Sequence, residues 1–448
     1  MTLPRYPEYR SHKTPWLGSL PAHWDGQALK RVVAKIESGV SVNAVDEPVA
    51  GASIGVLKTS CVYTGRFDPT ENKAVVADEL DRVACPVKAQ TLIVSRMNTP
   101  ALVGAAGLVA ADAGNLFLPD RLWQVHFAGA LPVFVHYWTA SPAYRAQVEM
   151  ACAGTSSSMQ NLSQDEFLRF ALPLPPVSEQ AAIATFLDHE TAKIDGLIAE
   201  QERLIALLAE KRQATISHAV TRGLNPQAPM KDSGVPWLGE VPAHWKLAPI
   251  KAFGWLKGGA GFPHEDQGIE GEELNFFKVA SLGMANASGV LQAGEHTISR
   301  QTAARLGAFI FPARTLVFAK VGAALMLARV RELAGDACID NNMMGLVVNE
   351  GSHPGFVRHA MALVRFDLIA NPGAVPSLNE GQIGGYVICQ PPLQEQVQIT
   401  RWLDAELARQ TALTEEASLA IDLLRERRSA LIAAAVTGQI DVRGFTAA

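Results

Sequence analysis

The chain has 448 residues, of which 48% are hydrophobic and 19% are charged, which is typical of a globular protein with two or three domains. Its formal net charge of −5 argues against a uniformly basic surface that binds polyanions nonspecifically, but it leaves room for a DNA-binding protein with one basic face. Charged residues, Gly or Pro interrupt every apolar stretch before about 18 residues, and the five scattered cysteines form no C-x-x-C pair. We therefore expect a cytoplasmic protein with free thiols and no membrane span.

A ten-residue segment occurs twice in the chain. Residues 15–24 return as residues 236–245, with eight identical positions and with Trp16 aligned to Trp237, 221 residues later. This spacing is far longer than the roughly 20–50 residues of a solenoid repeat. The repetition predicts one domain-sized module present in two copies.

Two predicted strands in the first half end in a basic residue, and both have a counterpart in the second half. The strands are residues 54–58 and 91–96, with counterparts 274–278 and 315–320, and the basic residues are Lys58, Arg96, Lys278 and Lys320. Lys or Arg at recurring strand ends are candidates to neutralise phosphates or to contact guanine. Surface ion pairs are the alternative.

Other polar residues are candidates for contacts with a nucleic acid. Asn341 and Asn342, beside Asp340, have the amide chemistry that recognises adenine. The polar segment 154–161 offers hydroxyl and amide groups suited to phosphates and base edges, although a solvated loop is the alternative. The complete set of predicted DNA-contacting residues is Lys58, Ser60, Arg96, Arg121, Thr155, Ser156, Ser157, Gln160, Lys278, Ser281, Lys320, Asn341 and Asn342.

Each half of the chain ends in a predicted long helix that follows two prolines. Residues 179–220 contain no Pro and a single Gly, and they are rich in strong helix formers. The prolines suit a helix entrance, and Glu179 and Glu395 follow them where a helix N-terminus favours an anion. Apolar residues spaced by multiples of seven positions give each helix an apolar stripe: Leu187, Ile194 and Leu208, then Leu403, Leu424 and Leu431. We expect the two helices to pair as a coiled coil, with packing inside one domain as the alternative.

The sequence contains no recognisable catalytic motif. It lacks a Walker A sequence, H-E-x-x-H, G-x-S-x-G and the Asn/Asp-Pro-Pro-aromatic tetrapeptide of amino-methyltransferases. No Cys or His pair has the spacing of a metal site, and His23 and His244 are expected to be hydrogen-bonded packing residues. We therefore assign no catalytic residue, metal or cofactor to this chain, while a nuclease made of scattered carboxylates and a lysine stays an open alternative.

The combination of these repeats resembles the specificity (S) subunits of Type I restriction–modification systems. The motifs that carry the resemblance are residues 231–245 (KDSGVPWLGEVPAHW), residues 172–180 (LPLPPVSEQ) with their copy PPLQEQ at 391–396, and the terminal VTGQID at 436–441. The resemblance covers essentially the whole chain. Residues 10–14 depart from the form of the second copy, so we expect the segment before the first Trp motif to pack differently.

The resemblance implies an α+β fold in which two similar mixed α/β target-recognition domains are separated by two long antiparallel coiled-coil helices, with pseudo-twofold symmetry. The corresponding boundaries are residues 1–174 for the first target-recognition domain, 175–222 for the central helix, 223–390 for the second domain and 391–448 for the C-terminal helix. Two helices of about 40 residues would form a rod of roughly 60 Å.

The resemblance also implies a function. Each target-recognition domain would bind one half of a bipartite double-stranded DNA site, and the helices would set the spacer between the halves. Two methyltransferase (M) subunits would dock on this chain and carry S-adenosylmethionine, and a restriction (R) subunit would supply cleavage driven by ATP with Mg²⁺. The alternatives are a duplicated protein-binding scaffold and a self-sufficient restriction endonuclease with a cryptic nuclease site.

Overall fold

A computed structural model of the chain describes residues 4–49, 51, 53–152, 158–286, 288–371, 373 and 375–445. The chain divides into two compact units: unit 1 comprises Met1–Glu200 with Ala420–Ala448, and unit 2 comprises Gln201–Leu419. None of the helices in the described ranges is long and apolar enough to cross a membrane.

Unit 1 is built from short strands and three short helices. The strands are β1 (Tyr9–Ser11), β2 (Ser19–Pro21), β3 (Asp25–Ala28), β4 (Val33–Ser38), β5 (Ala44–Val45), β6 (Gly55–Leu57), β7 (Asn72–Val75), β8 (Pro86–Val87), β9 (Leu92–Ser95), β10 (Met97–Asn98), β11 (Ala106–Leu108), β12 (Ala113–Phe117), β13 (Leu122–Phe127), β14 (Gln160–Asn161) and β15 (Ala171–Leu174). The short helices are α1 (Pro132–Thr139), α2 (Pro142–Ala151) and α3 (Gln164–Arg169), and the long helix α4 (Val177–Arg222) follows them.

Unit 2 repeats this pattern. Its strands are β16 (Met230–Asp232), β17 (Glu240–Pro242), β18 (Lys246–Pro249), β19 (Gly254–Gly258), β20 (Leu274–Phe277), β21 (Val290–Leu291), β22 (Thr297–Ile298), β23 (Leu316–Ala319), β24 (Arg331–Leu333), β25 (Ala337–Ile339), β26 (Met343–Val348) and β27 (Val387–Gln390). Its short helices are α5 (Arg300–Arg305), α6 (Pro354–Met361), α7 (Phe366–Ile369) and α8 (Glu380–Gly384). The long helix α9 (Leu393–Val436) begins in unit 2 and its residues from Ala420 onward belong to unit 1, just as α4 begins in unit 1 and its residues from Gln201 onward belong to unit 2.

The sheets of the two units share a common core topology, although unit 2 adds β21 beside β24 and its second sheet has three strands where that of unit 1 has five. In unit 1 the strand order β11-β9-β13-β4 is antiparallel, and β6 pairs in parallel with β12. In unit 2 the order β24-β23-β26-β19 is the same, and β20 pairs in parallel with β25. The central strands β9 and β23 are buried along their whole length and apolar except for Ser95, as expected for strands covered on both faces. The predicted duplication of a mixed α/β module is confirmed.

A glycine recurs where the chain passes closest to another backbone segment. A Cβ atom on Gly39 would lie 1.5 Å from the carbonyl oxygen of Leu118, and one on Gly259 would lie 2.1 Å from that of Asp340. Any larger residue would separate these segments. The same tight crossing therefore supports both copies of the module.

The two predicted long helices are confirmed, at 46 residues for α4 and 44 residues for α9, each directly after its Pro-Pro pair. Within unit 1, Asp195 of α4 pairs with Arg428 of α9, with 3.1 Å between Oδ1 and Nε. Within unit 2, Arg212 of α4 donates to Thr411 Oγ1 of α9 at 3.1 Å. The position on α9 falls as the position on α4 rises, so the helices run antiparallel.

The apolar stripe of the long helices is buried only in part. Leu187, Ile194 and Leu208 are buried as predicted, because they lie on the seam between paired helices or against a unit core. Leu204 and Leu413, which lie on the same helices outside this stripe, are 40% and 48% exposed. A pair of helices covers one seam, so the second apolar row stays at the surface.

The repeated Trp motif is held by the glutamate that follows each Pro-Pro pair. In unit 1, Trp24 Nε1 donates to Glu179 Oε2 at 2.9 Å, and His23 Nε2 lies 2.7 Å from Glu179 Oε1. In unit 2, Trp245 and His244 contact Glu395 in the same way, at 2.9 and 2.8 Å. Both histidines are hydrogen-bonded as expected, but their side chains are 41% and 48% exposed, so the expectation that they are packing residues is wrong. We call each group of Trp, His and Glu an anchor, because it ties the start of a module to the start of a long helix.

The glutamine after each anchor glutamate makes a second tie. Gln180 Oε1 accepts from the backbone N–H of Leu131 at 2.7 Å, immediately before α1, and Gln180 Nε2 donates to Pro175 O at 2.9 Å. Gln396 does the same for His353, before α6, at 2.8 Å. The Glu-Gln pair of the repeated motif thus connects two parts of each module to its long helix.

The expectation that residues 10–14 pack differently from the second copy is wrong. Strand β1 pairs with β2 in the register of β16 with β17, so that Tyr9 faces Pro21 as Met230 faces Pro242. Arg10 donates to the carbonyl of Trp24, as Lys231 does to that of Trp245. The two basic side chains donate to equivalent carbonyls, which preserves the hairpin although the sequences differ.

Candidate nucleic-acid interface

The basic strand-end residues of unit 1 lie on two neighbouring segments. Lys58 follows β6 and begins a short 3-10 turn, and its Nζ lies 2.9 Å from Asp46 Oδ1. Asp46 also pairs with Lys73, and the hydrogen bonds from these two lysines lower its pKa. The Ser60 hydroxyl in the same turn donates to Glu71. In the absence of DNA, Lys58 therefore forms a surface ion pair, which was the alternative to a DNA contact.

Arg96, Arg121 and Gln160 come together at the end of the central sheet of unit 1. The Arg96 backbone N–H donates to Arg121 O at 3.1 Å, where β9 ends and β13 begins. Gln160 pairs with Asn98, two residues after Arg96. The predicted residues Thr155, Ser156 and Ser157 lie outside the described residues. We call Lys58, Ser60, Arg96, Arg121 and Gln160 the unit 1 edge.

Two residues that the sequence analysis missed connect the parts of the unit 1 edge. Asn98 Nδ2 donates to the Tyr63 hydroxyl at 2.9 Å, and that hydroxyl lies 2.8 Å from Thr59 Oγ1. Tyr63 is 37% exposed. Asn98 could have been predicted as a residue of this edge from its position, because it comes two residues after Arg96, the basic end of a predicted strand.

The candidate residues of unit 2 surround the buried Asp340. Lys278 Nζ donates to Gln267 Oε1 at 2.9 Å, and its positive charge acts on the Asp340 carboxylate. Burial nevertheless raises the pKa of Asp340, whose Oδ1 accepts from the Asn342 backbone N–H at 2.8 Å. Asn341 and Asn342 are exposed. The carboxylate shapes the turn that presents both amides to solvent.

Lys320 and Ser281 complete the unit 2 group in different ways. The Lys320 backbone N–H donates to Asn342 O at 2.8 Å, so the end of β23 meets the start of β26. Ser281 is 5% exposed, and its hydroxyl accepts from the Lys278 backbone N–H at 3.1 Å. Ser281 therefore shapes the backbone beside Lys278. We call Lys278, Ser281, Lys320, Asn341 and Asn342 the unit 2 edge.

The two edges have the same backbone and different side chains. The bond from Arg96 N–H to Arg121 O matches the bond from Lys320 N–H to Asn342 O. The same scaffold therefore presents arginine in unit 1 and asparagine in unit 2 at one equivalent position. Arginine matches the O6 and N7 acceptors of guanine, whereas an amide matches the N6 and N7 pair of adenine.

The described residues hold no group of three or more His, Cys, Asp or Glu side chains placed to bind a metal ion. Each hydrogen-bonded histidine of the anchors contacts a glutamate. These contacts are structural, and the edges offer hydrogen-bond donors and amide groups suited to a polyanion with base edges.

Comparison with known proteins gives relatives of one kind. The Type I restriction enzyme StySPI specificity subunit of Salmonella potsdam is 20% identical over 409 residues, which cover 86% of this chain and 82% of that protein. The EcoEI specificity subunit of Escherichia coli is 23% identical over 205 residues, or 45% of this chain and 34% of that protein. No protein-family model matches the chain.

Solved structures share the fold. A chain from a study of complex assembly and conformational transition of the type I R-M system aligns with a TM-score of 0.72 at 14% identity, over 93% of this chain and 98% of its own length. The HsdS subunit from Thermoanaerobacter tengcongensis aligns with a TM-score of 0.56 at 15% identity, over 94% of this chain and 98% of its own length. Relatives in sequence and a shared fold thus confirm that this chain resembles the specificity subunits of Type I restriction–modification systems.

Proposed function

We propose that this chain is the DNA sequence-specificity subunit of a Type I restriction–modification complex. Its unit 1 edge binds one half of a bipartite site in double-stranded DNA, and its unit 2 edge binds the other half. The observation that carries the proposal is the duplicated edge, in which one backbone arrangement presents Arg121 in unit 1 and Asn342 in unit 2. Two edges with the same backbone and different side chains are suited to bind two different half-sites.

The covalent connection between the two edges increases both the affinity and the selectivity for the complete DNA site. Once one half-site is bound, the second binding step is intramolecular, and its strength depends on the distance that the chain imposes. Helices α4 and α9 contain 46 and 44 residues, which corresponds to roughly 65–70 Å of helix each. We assign to them the spacer between the half-sites.

In this proposal, partner subunits catalyse the methylation and the cleavage of DNA. Two M subunits dock on the chain and use S-adenosylmethionine to methylate the site, and an R subunit with ATP and Mg²⁺ cleaves DNA that lacks the methyl groups. The structural relative studied for complex assembly of a type I R-M system supports such partners. The chain itself supplies recognition and spacing.

Single substitutions at the two edges test this assignment. Arg121→Ala is expected to relax recognition of a guanine in one half-site, and Asn342→Ala that of an adenine in the other half-site. Each loss is about 1–3 kcal/mol, or roughly 5- to 150-fold in discrimination. The measurement is sequencing of methylated DNA from cells that express the complete complex.

Matched controls are Arg169→Ala in unit 1 and Lys246→Ala in unit 2, since both residues are exposed and lie outside the edges. These controls should leave the methylated sequence unchanged. Relaxation of both half-sites by one edge variant, or of neither by both variants, would contradict the assignment.

A further inference from the structure

Each edge is accompanied by one large apolar side chain at the same backbone position. Tyr63 in unit 1 and Met284 in unit 2 each cap the end of the short 3-10 turn that follows a basic strand end. The Tyr63 backbone N–H donates to Ser60 O at 3.1 Å, and the Met284 backbone N–H donates to Ser281 O at 2.9 Å. Tyr63 is 37% exposed and Met284 is 52% exposed. The two modules therefore present an apolar group to solvent directly beside their polar edge residues.

Hydrogen bonds within unit 1 fix the orientation of Tyr63. Its hydroxyl accepts from Asn98 Nδ2 at 2.9 Å and lies 2.8 Å from Thr59 Oγ1. Asn98 is itself 7% exposed and donates to the Ser95 hydroxyl at 3.2 Å, so it is held from behind. Because the hydroxyl already has two protein partners, the part of Tyr63 left to contact a ligand is mainly its ring.

The position of Met284 is fixed by the backbone of its turn. The Ser281 backbone N–H donates to Lys278 O at 2.9 Å, and the Lys278 backbone N–H donates to Ser281 Oγ at 3.1 Å. These two bonds close the turn that Met284 ends. A thioether side chain is flexible and polarisable, so it adapts its contact to a small apolar group.

The chemistry of base edges indicates which group these side chains would contact. The donors and acceptors of a base pair are matched by polar side chains such as Arg121 and Asn342 at the edges. The C5-methyl group of thymine makes no hydrogen bond, and an apolar side chain is the group that recognises it in the major groove. An apolar side chain beside a polar edge thus adds a base that the polar residues do not distinguish by hydrogen bonds.

We propose that Tyr63 and Met284 each contact the C5-methyl group of a thymine in the major groove, Tyr63 in the half-site of unit 1 and Met284 in that of unit 2. This inference rests on the proposed function and deepens it, because it assigns one thymine of each half-site to a named side chain. The ring face of Tyr63 and the thioether of Met284 make the contact, and both lose exposure to water when DNA binds.

Substitution of uracil for thymine tests the contact one methyl group at a time. The complete complex of this chain with its M subunits is used, and its target is first determined by sequencing of methylated DNA. Each thymine of both half-sites is then replaced singly by uracil, which keeps the base pair and removes the C5-methyl group. Fluorescence anisotropy measures the Kd of each duplex. We expect one uracil position in each half-site to weaken binding about fourfold, as for loss of one buried methyl group.

Variants of the two side chains assign each effect to its residue. Tyr63→Ala is expected to abolish the uracil effect in one half-site and to leave that in the other, and Met284→Ala is expected to do the reverse. Tyr63→Phe keeps the ring without the hydroxyl and should retain the effect. Met150, which is 64% exposed on α2 and lies outside both edges, gives the control variant Met150→Ala, which should change neither effect.

The outcomes separate this inference from the function on which it rests. A complex that prefers its methylated sequence but binds every uracil duplex with unchanged affinity would overturn the inference alone. Uracil effects that persist in Tyr63→Ala and in Met284→Ala would do the same. A complex that shows no sequence preference in binding would contradict the proposed function, and the inference with it.

Discussion

Replacing Glu179 by alanine is expected to lower the free energy of unfolding of unit 1 by about 4 kcal/mol. The carboxylate accepts from Trp24 Nε1 and Tyr6 and contacts His23, and its side chain is 11% exposed. Each buried donor left without a partner costs about 1–3 kcal/mol. Loss of the anchor also releases the Trp motif from the start of α4, so the whole amino-terminal hairpin loses its support.

The equivalent change in unit 2 is the matched control. Glu395 accepts from Trp245 and contacts His244, and its side chain is 35% exposed, so Glu395→Ala is expected to cost about 2 kcal/mol. Urea unfolding of both variants and of the unchanged chain, followed by tryptophan fluorescence, gives the comparison. A loss below about 1 kcal/mol for Glu179→Ala, or a larger loss for Glu395→Ala, would contradict the account of the anchors.

Lengthening both long helices by four residues is expected to lengthen the DNA spacer by about one to two base pairs and to leave both half-site sequences unchanged. Four residues add about 6 Å of helix, and a base pair spans about 3.4 Å. Four residues also make slightly more than one turn, so the apolar stripe stays nearly in phase. Insertions of four helix-forming residues after Glu200 and after Asp422 keep the antiparallel pairs of α4 and α9 in register.

A loop insertion controls for the effect of added chain. Gly129 lies in an exposed turn with a positive φ of 87°, and a Cβ atom added to it would meet no other atom within 4 Å, so four residues inserted there should fold without effect on the helices. Methylated-DNA sequencing should report the original spacer for this control. An unchanged spacer in the helix variant, with methylation retained, would show that the helices do not set the distance.

The duplication and the long helices could be predicted from the sequence because both depend on short local patterns of residues. The repeated Trp motif and the Pro-Pro pairs mark where each module begins and ends. Residues 179–220 are rich in strong helix formers and contain no Pro, which predicts the first long helix. The strand ends at Lys58 and Lys278 could also be predicted. Each lysine directly follows a short, largely apolar and buried strand, and a turn comes next.

What the sequence did not indicate depends on contacts between distant residues. The tie between Glu179 and Trp24 spans 155 positions, and nothing local shows that a glutamate at a helix start also accepts from an indole. The role of Ser281 as a buried cap, rather than a surface hydroxyl, depends on how its turn folds back on Lys278. Tyr6 lies outside the repeated motifs, so no local pattern indicates its buried hydrogen bond to Glu179.

Exchange of residues 25–170 for the corresponding segment of another specificity subunit tests the central claim most directly. The hybrid chain, expressed with its partner subunits, is examined by sequencing of methylated DNA. The account predicts a new sequence in one half of the methylated site, with the other half and the spacer retained. A change in both halves, or an unchanged site, would contradict it.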